Sequence, residues 1–495
     1  MIDPRSLSPK LPTLKLFIDG KFVDPVEGGT IPVTNPATGE KICDAPAASA
    51  RDVDLAVKAA RRAKDTGPWA KMNPSARGRL IRKLAELLWE RREEFALIES
   101  MNNGKTFREA VRGDVGPGSA TLSYYADWAN KLTGEVLPVD GPFLTYVLRE
   151  PIGVVGAIVP WNYPTSLASW KLGPALAVGC TIILKPSELT PLTALKLAEL
   201  AQQVGFPEGV LNVLPGYGDP AGEAIARHPQ VDKISFTGSV RTARRLLHAA
   251  AETNLKKLSL ELGGKSPQII FPDADFKAAI DACFWGIFGN KGEICNAGSR
   301  VLVHEKAYDD FVGQLAERAG KMIVGDPLDP KTQMGSQVSA GQLKTVLAYI
   351  ASGKEQGARV LAGGERDTEG AKARGQFVKP TVFSEVKPAM KIAQEEIFGP
   401  VLSCIRVRDE ADAVEVANGT TYGLAASIWT RDVARAHALA KQISAGVVWI
   451  NCFNEFDNAA PFGGYKESGW GRDLSSHALE KYTQLKTVWT KLPDA

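Results

Sequence analysis

Two stretches decide the fold: IGVVGAIVPWNYP, residues 152–164, and TIILKPSELTPLTALKLAELAQQVGF, residues 181–206. Each begins with a short apolar run rich in β-branched residues, which is typical of a strand buried on both faces. In the second stretch, Thr190 and Pro191 predict the N-cap and first residue of a helix, and apolar residues then recur at helical spacing. Strand, helix and strand in this order predict a parallel sheet with helices on both faces.

The same alternation continues along the chain. GVLNVL, KISF and KLSLEL are predicted strands, separated by the predicted helices DPAGEAIARH and SVRTARRLLHAAAE. After residue 262 the strands SPQIIF and RVLVHE follow, each before a helical segment. We therefore predict an α/β protein with one doubly wound parallel sheet and a second α/β domain.

Two segments differ from this rhythm. GEVLPVDGPFLTYVLRE, residues 134–150, contains two strand-like runs about Asp140 and Gly141, which predict a hairpin. KYTQLKTVWTKL near the C-terminus predicts an extended strand. A projecting hairpin and a terminal edge strand favour pairing with another subunit. The first 127 residues are mixed, with one long charged helix predicted around RGRLIRKLAELLWERREEFALIE.

Composition excludes several classes of protein. Of the 495 residues, 44% are apolar and 23% charged, the range of soluble globular proteins. Lys and Arg outnumber Asp and Glu by only 59 to 56, which does not favour a nucleic-acid partner. The N-terminal residues lack the apolar core of a signal peptide, and no uncharged run reaches membrane-spanning length. Six scattered cysteines favour neither disulfides nor a metal site, so we expect a cytoplasmic protein without a membrane partner.

Loops after parallel strands are candidate nucleotide sites. GYGDPAG, which contains Gly218, is one residue too long for the glycine-rich dinucleotide motif and favours a plain turn. Gly238 and Ser239 stand where a helix begins, so they could bind a pyrophosphate or form an ordinary N-cap. Lys185 and Glu188 follow a strand. A carboxylate there can accept both hydroxyls of a ribose and repel a 2′-phosphate, or can be a solvated loop charge.

Cys295 is the candidate nucleophile. It lies in the polar run NKGEICNAGSR, residues 290–300, where Gly292 and Gly298 predict a flexible and approachable loop. None of the five histidines lies in a glycine-rich or turn-like motif, which argues against a Cys–His hydrolase.

Two other residues could assist a thiolate. Glu261 ends a predicted strand before two glycines, where it is either a base facing a cleft or a charge in water. Asn162 stands in PWNYP, where the prolines would aim its amide as an oxyanion donor or simply form a rigid turn.

The joint occurrence of seven motifs in one order is highly specific: PWNYP, KPSELTP, FTGS, ELGGKSP, GEICNAGSR, EEIFGP and PFGGYKESG. With them the sequence resembles the aldehyde dehydrogenase superfamily from NPATGE near residue 35 to GYKESGWGR near residue 472. The resemblance implies a Rossmann-like coenzyme domain, an α/β catalytic domain and a β-hairpin oligomerisation arm. The expected limits are 1–127 and 151–262, then 263–475, then 128–150 and 476–495.

The resemblance also implies roles for single residues. Cys295 matches the nucleophile, Glu261 the base that activates water, and Asn162, with the backbone N–H of Cys295, the oxyanion hole. The positions matching coenzyme contacts are Trp161, Lys185, Glu188, Gly218, Gly238, Ser239, Leu262, Glu396 and Phe398. The positions matching the substrate tunnel are Tyr163, Leu167, Trp170, Trp285, Phe456 and Phe462, of which Trp285 is equally consistent with a core residue.

The implied activity is oxidation of an aldehyde to an acid through a cysteine thiohemiacetal and thioester. Glu188 favours NAD over NADP, which stays possible, and the family forms homodimers or homotetramers. An aromatic tunnel favours medium-chain aliphatic or aromatic aldehydes. Glu455 would instead attract a cationic amino-aldehyde, and a cysteine esterase or acyl-transfer enzyme is a further alternative. Glu293 replaces a frequent Gln and would oppose thiolate formation unless it points away or pairs with a cation; it is also an alternative base.

Overall fold

The computed structural model describes residues 3–493, and its largest element is an eight-stranded sheet whose five central strands are parallel. In spatial order its strands are Lys21–Val23, Leu16–Ile18, Leu211–Val213, Thr181–Lys185, Val154–Ile158, Lys233–Thr237, Lys257–Glu261 and Gly469–Trp470. The two strands at one edge and the single strand at the other run antiparallel to their neighbours.

Helices cover both faces of this sheet. Val155 and Ala157 point into one core cluster, and Val154 and Ile158 into the other, because successive residues of a strand face opposite sides. One face is covered by Pro74–Glu90, Arg92–Asn103, Gly116–Trp128, Pro164–Val178 and Leu192–Val204. The other face is covered by Ala50–Asp65, Glu223–Arg227 and Val240–Ala251. The predicted doubly wound architecture is confirmed.

A second sheet has seven strands, of which six are parallel. In spatial order they are Arg359–Ala362, Thr381–Ser384, Val401–Val407, Arg300–His304, Pro267–Ile270, Ala425–Trp429 and Val447–Ile450. Phe276–Phe288 and Tyr308–Gly320 pack on one face, while the other face carries Ala340–Glu355, Lys391–Gln394, Glu410–Asn418 and Val433–Ala440. The expected second α/β unit is therefore present.

The hairpin and the terminal strand form a third, antiparallel sheet. Phe143–Pro151 pairs with Glu135–Leu137, as the predicted hairpin requires, and on its other side with the predicted terminal strand, Thr483–Lys491. Two short strand pairs complete the sheets: Thr30–Thr34 with Lys41–Pro46, and Tyr422–Gly423 with Tyr465–Lys466. The domain limits given above stay a prediction.

Two helix predictions need correction. The long charged helix is two helices, Pro74–Glu90 and Arg92–Asn103, because the backbone of Arg91 leaves the helical region with φ −98° and ψ 16°. Thr190 does not cap the following helix, which begins at Leu192 with Pro191 in the N-cap position. The Thr190 hydroxyl donates to the Trp161 carbonyl oxygen instead, at 3.5 Å.

Within residues 3–493, no helix combines the length and apolar character needed to cross a bilayer. Over the same residues, no group of three or more His, Cys, Asp or Glu side chains is arranged to hold a metal ion. All six cysteines lie in this range, and none takes part in a disulfide.

Candidate active site

A cavity of about 1020 Å³ brings together the three residues that the sequence proposes for catalysis. Glu261 is the last residue of its strand, Asn162 lies in the turn before helix Pro164–Val178, and Cys295 follows helix Phe276–Phe288. Asn162 and Glu261 meet because one follows and the other ends a parallel strand of the first sheet, and these strands end at one edge. Cys295 reaches the same cavity from the segment before a strand of the second sheet.

Most of the other proposed site residues also line this cavity. They are Trp161, Tyr163, Leu167, Trp170, Gly238, Ser239, Leu262, Glu396, Phe398, Phe456 and Phe462. Lys185, Glu188 and Gly218 are not among its lining residues. Lys185 is buried at the end of its strand, where its ammonium donates to the Pro186 carbonyl at 3.0 Å, and burial lowers its pKa to about 8. Glu188 is half-buried, and Gly218 is exposed at the start of a helical turn.

The loop around Cys295 is packed rather than flexible, so that expectation is wrong. Cys295 is half-buried and its neighbours in residues 290–300 are buried. Gly292 has φ +77°, and a Cβ there would lie 2.2 Å from the Gly399 carbonyl carbon. A Cβ at Gly298 would lie 2.2 Å from the Gln268 amide nitrogen. These glycines therefore permit close packing of the loop. The packed loop holds the side chain of Cys295, the one residue of 290–300 that is not buried, in place.

Burial raises the pKa of the Cys295 thiol to about 12, and the nearby carboxyls of Glu396 and Glu261 act in the same direction. Glu293 does not line the cavity. Its buried carboxylate lies 2.9 Å from the Lys291 ammonium and accepts the Val338 N–H at 3.0 Å. Glu293 thus points away and pairs with a cation, which removes the expected obstacle to thiolate formation.

Glu261 is a buried carboxyl whose two oxygens accept no hydrogen bond within the described chain. Burial raises its pKa well above the usual range, and Asp473 adds to the shift while Lys481 and Lys171 oppose it. A carboxyl without a hydrogen-bond partner at a cavity wall is free to bind a water molecule and to exchange a proton with it.

The Asn162 amide is held beside the loop that carries Cys295. Its Nδ2 donates to the Glu293 carbonyl oxygen at 3.0 Å, and the second N–H of the same group stays available as a donor. The backbone carbonyl of Asn162 accepts from the Lys105 ammonium at 2.7 Å and from Asn290 Nδ2 at 3.1 Å. The turn is therefore rigid, and its side chain also reaches the cavity.

The part of the cavity near Glu396 suits a dinucleotide. The Glu396 carboxylate accepts the Gly264 N–H at 3.1 Å, and burial raises its pKa to about 7. The rings of Trp161 and Phe398 meet edge to face with centroids 5.1 Å apart. Ser239 caps helix Val240–Ala251 as expected for an N-cap, and it lines the cavity as well.

An aromatic wall lines another part of the cavity. The Trp170 ring lies 5.5 Å from Phe462 and 6.4 Å from Phe456, centroid to centroid. Trp285 is not part of this wall, because it packs against Phe284 and the core of the second sheet. Glu455 is also absent from the lining residues.

The sequence does not indicate several further lining residues. Trp89, Val111, Arg112 and Asp457 border the same cavity. Val111 and Arg112 reach it from a π-helical turn, Ala110–Val115, inside the mixed N-terminal region. No strand end marks that segment in the sequence, and its π-helical turn, a feature frequent at functional sites, becomes visible only in the structure.

A doubly wound sheet beside a cavity shared by a thiol, a carboxyl and an amide defines a candidate enzyme that acts through a cysteine at a nucleotide-type fold. The aldehyde dehydrogenase family model matches residues 22–488. An aldehyde dehydrogenase of Emericella nidulans is 49% identical over 482 residues, covering 97% of this chain and 96% of that protein. The mitochondrial aldehyde dehydrogenase of Homo sapiens is 46% identical over 480 residues, covering 97% and 92%.

Solved structures agree with this result. An NAD⁺ complex of aldehyde dehydrogenase from Bacillus cereus has a TM-score of 0.94 at 47% identity, covering 97% of this chain and 96% of that one. A mutant of P. syringae AldA, an indole-3-acetaldehyde dehydrogenase, in complex with NAD⁺ and IAA has a TM-score of 0.96 at 44% identity, covering 99% and 98%. The chain belongs to the aldehyde dehydrogenase family, and it is an oxidoreductase that acts on aldehydes.

Proposed function

We propose that this enzyme oxidises an aldehyde to the carboxylic acid through a covalent adduct on Cys295, with NAD as the hydride acceptor. The observation that carries the proposal is the convergence of Cys295, Glu261 and Asn162 on one cavity that also contains Glu396 and Phe398. An accessible thiol beside an amide donor and a free carboxyl supplies the nucleophile, the oxyanion donor and the base that this reaction needs.

In the first step the Cys295 thiolate attacks the carbonyl carbon of the aldehyde and forms a thiohemiacetal. The Asn162 amide and the backbone N–H of Cys295 donate to the oxyanion; one such donor typically stabilises a transition state by about 3–4 kcal/mol. When bound, NAD would supply the hydride acceptor and a positive charge, and Glu396 and Phe398 are the residues that would hold its nicotinamide end. Loss of hydride leaves a thioester on Cys295.

In the second step Glu261 removes a proton from water, and the resulting hydroxide attacks the thioester carbonyl. The acid leaves, and the sulfur of Cys295 is released as a thiolate. Both carboxylate oxygens of Glu261 are without a hydrogen-bond partner in the described chain, which leaves them available to the water. A raised pKa makes this carboxylate a stronger base than an ordinary one.

The residues of the cavity fit a dinucleotide. The Thr237 hydroxyl at the cavity wall is buried and has no hydrogen-bond partner among residues 3–493, so it can bond a ligand. A Cβ at Gly263 would lie 2.0 Å from a Glu396 carboxylate oxygen, so the carboxylate can occupy its observed position only because residue 263 is glycine. We propose that Glu396 and Phe398 hold the nicotinamide ribose and ring, with Trp161 and Leu262 beside them.

For the other half of the coenzyme, we propose Gly238 and Ser239 as pyrophosphate contacts. Gly218, Lys185 and Glu188 would serve the adenosine part. A carboxylate at Glu188 accepts ribose hydroxyls and repels a 2′-phosphate, so we propose NAD rather than NADP. Comparing kcat/KM for the two coenzymes tests this; equal values would contradict it, and Glu188→Gln should narrow the difference.

We propose medium-chain aliphatic or aromatic aldehydes as substrates. Trp170, Phe456 and Phe462, with Tyr163 and Leu167, give the cavity a largely apolar wall, which favours such groups over small charged ones. The structurally similar AldA is named for indole-3-acetaldehyde, an aromatic aldehyde. The alternative of a cationic amino-aldehyde is not supported by Glu455, which does not line the cavity, but Asp457 does line it and could serve such a substrate instead.

We also propose that the chain forms homodimers or homotetramers through the three-stranded sheet of the arm, and that it works in the cytoplasm. The domain limits implied by the resemblance remain part of this proposal. Val136, Leu485 and Trp489 of that sheet are largely exposed in the single chain, which supports contact with a second copy.

The decisive test is formation of NADH across a panel of aldehydes, with Cys295→Ser as the control. We expect the wild-type enzyme to reduce NAD, and Cys295→Ser to bind NAD normally without oxidising aldehydes. Full activity of Cys295→Ser would overturn the assignment. Ester hydrolysis by the enzyme, together with aldehyde turnover that does not require NAD, would favour the esterase alternative.

A further inference from the structure

Three consecutive residues, three to five positions before Cys295, have a left-handed backbone conformation. Asn290 has φ +41°, Lys291 φ +62° and Gly292 φ +77°. Left-handed conformations are routine for glycine but strained for a residue with a long side chain such as lysine. We call residues 290–292 the nucleophile turn. Such strain persists only where the surrounding structure imposes it, so the contacts of the nucleophile turn should show which residues hold it in this conformation.

The side chain of Lys291 is completely buried beneath the turn. Its ammonium donates to Asn103 Oδ1 at 2.6 Å and to the Asn103 carbonyl oxygen at 3.1 Å. It also lies 2.9 Å from the carboxylate of Glu293, which is buried as completely. The other Glu293 oxygen accepts the Val338 N–H. The two members of this ion pair therefore connect the turn to two separate segments of the chain, Lys291 to Asn103 and Glu293 to Val338.

The same residues join the turn to Asn162. The carbonyl oxygen of Glu293 accepts from Asn162 Nδ2 at 3.0 Å and from Asn290 Nδ2 at 3.1 Å. Asn290 Nδ2 also donates to the Asn162 carbonyl oxygen at 3.1 Å. Any movement of the backbone at Glu293 would shift both the amide of Asn162 and the thiol two residues further on.

We propose that Lys291 and Glu293 are positioning residues, whose buried ion pair holds the nucleophile turn in its left-handed form and thereby fixes the Cys295 thiol against the Asn162 amide. This inference rests on the proposed function of Cys295 and Asn162. Neither residue of the pair lines the cavity, so they act through the loop and not on the substrate. Preorganised donors work only when held within a fraction of an ångström of the reacting atoms.

The test compares Lys291→Gln, Glu293→Gln and the double variant with both changes. Each single variant leaves a buried charge without its partner, which loosens the turn, whereas the double variant replaces the pair by two neutral amides of similar length. We expect kcat to fall about 10- to 100-fold in each single variant, with the KM for the aldehyde and the Kd for NAD unchanged. The double variant should recover most of this loss.

Alkylation of Cys295 by iodoacetamide gives a second readout that does not depend on turnover. We expect it to be slower in both single variants and to return toward the wild-type rate in the double variant. Lys344→Gln, on an exposed face of helix Ala340–Glu355, is the matched control for loss of one positive charge and should behave as wild type.

A merely structural pair would lower the melting temperature of the single variants while their kcat and alkylation rate stay at wild-type values, and this result would overturn the proposal. Failure of the double variant to recover would overturn it as well. If Lys291→Gln does not fold, Glu293→Gln and the double variant decide between the same outcomes. Failure of the proposed function is distinguishable, because Cys295→Ser would then keep its activity.

Discussion

At the scale of single residues, the protonation of two groups controls the proposed chemistry. The Cys295 thiol has a pKa of about 12 in the free protein, because it is buried and close to the carboxyls of Glu396 and Glu261. At neutral pH such a thiol is almost wholly protonated and a poor nucleophile. We therefore expect the positive charge of a bound nicotinamide ring to favour ionisation of this thiol.

The first prediction follows from this coupling. The rate of Cys295 alkylation at fixed pH should rise when NAD is added, because the positive charge lowers the pKa of the thiol. In the free protein the rate should keep rising with pH well into the alkaline range. The measurement is the pH dependence of iodoacetamide alkylation with and without NAD; equal pKa values in the two states would contradict the coupling.

The second prediction concerns Glu261. Burial raises its pKa, so the carboxyl stays protonated to higher pH than an ordinary glutamate and acts as a base only above that raised value. Hydrolysis of the thioester should therefore slow as pH falls through the raised pKa of Glu261. In Glu261→Gln this pH dependence should disappear and hydrolysis should be slow throughout. Single-turnover kinetics across pH measure this step; an unchanged profile in Glu261→Gln would exclude Glu261 as the base.

At the scale of elements, the loop of the nucleophile depends on close contact between two backbones. Gly292→Ala would place a methyl group 2.2 Å from the Gly399 carbonyl carbon in a residue at φ +77°. We expect a lower melting temperature and a lower kcat, since both the backbone strain and the clash oppose the native loop.

A matched control is Gly313→Ala, in helix Tyr308–Gly320, where an added Cβ meets nothing within 4 Å. It should leave activity unchanged and stabilise the protein slightly, by up to about 1 kcal/mol, because alanine favours helix. Equal melting temperatures for Gly292→Ala and wild type would contradict the close packing of the loop.

The parallel strands of the first sheet, and the strands Pro267–Ile270 and Arg300–His304 of the second, were predicted because their signal is local. The runs around Val154–Ile158 and Thr181–Lys185 are apolar and rich in β-branched residues, which is typical of strands buried on both faces. The π-helical turn Ala110–Val115 and the left-handed nucleophile turn carry no such signal, since distant residues contact them: Ser166 donates to Asp114 in the first, and Asn103 accepts from Lys291 in the second. The predicted flexibility around Cys295 failed for the same reason: the backbone of Gly399 fills the space beside Gly292.

At the scale of the whole molecule, the site is assembled from segments that the chain separates widely. Glu261 ends a strand of the first sheet, whereas Cys295 precedes the strand Arg300–His304 of the second. Residues alone suggested a base, a nucleophile and a donor, each with a plain alternative, but not that they share one cavity. The motifs that contain these residues occur in the order typical of the family. Only this resemblance indicated, before the structure, that the three residues act together.

The three-stranded sheet of the arm gives a prediction at this scale. Leu485 and Trp489 are 63% and 57% exposed in the single chain, and they lie on one strand, Thr483–Lys491. Changing both to Asp should shift the protein to a smaller species, because a contact between copies would then bury two charges. The control is Val433→Asp, at a residue that is 70% exposed and lies on helix Val433–Ala440, outside the arm. Light scattering measures the mass; an unchanged mass in the double variant would exclude this surface as the contact.

The account depends on a covalent acyl adduct of Cys295 that Glu261 helps to hydrolyse. The most direct test is intact-protein and peptide mass spectrometry of Glu261→Gln mixed with NAD and an aromatic aldehyde. We predict a mass increase equal to the acyl group less the one hydrogen that it replaces, located on the peptide that contains Cys295, together with one equivalent of NADH. Production of NADH by this variant with no adduct on Cys295 at any time would contradict the account.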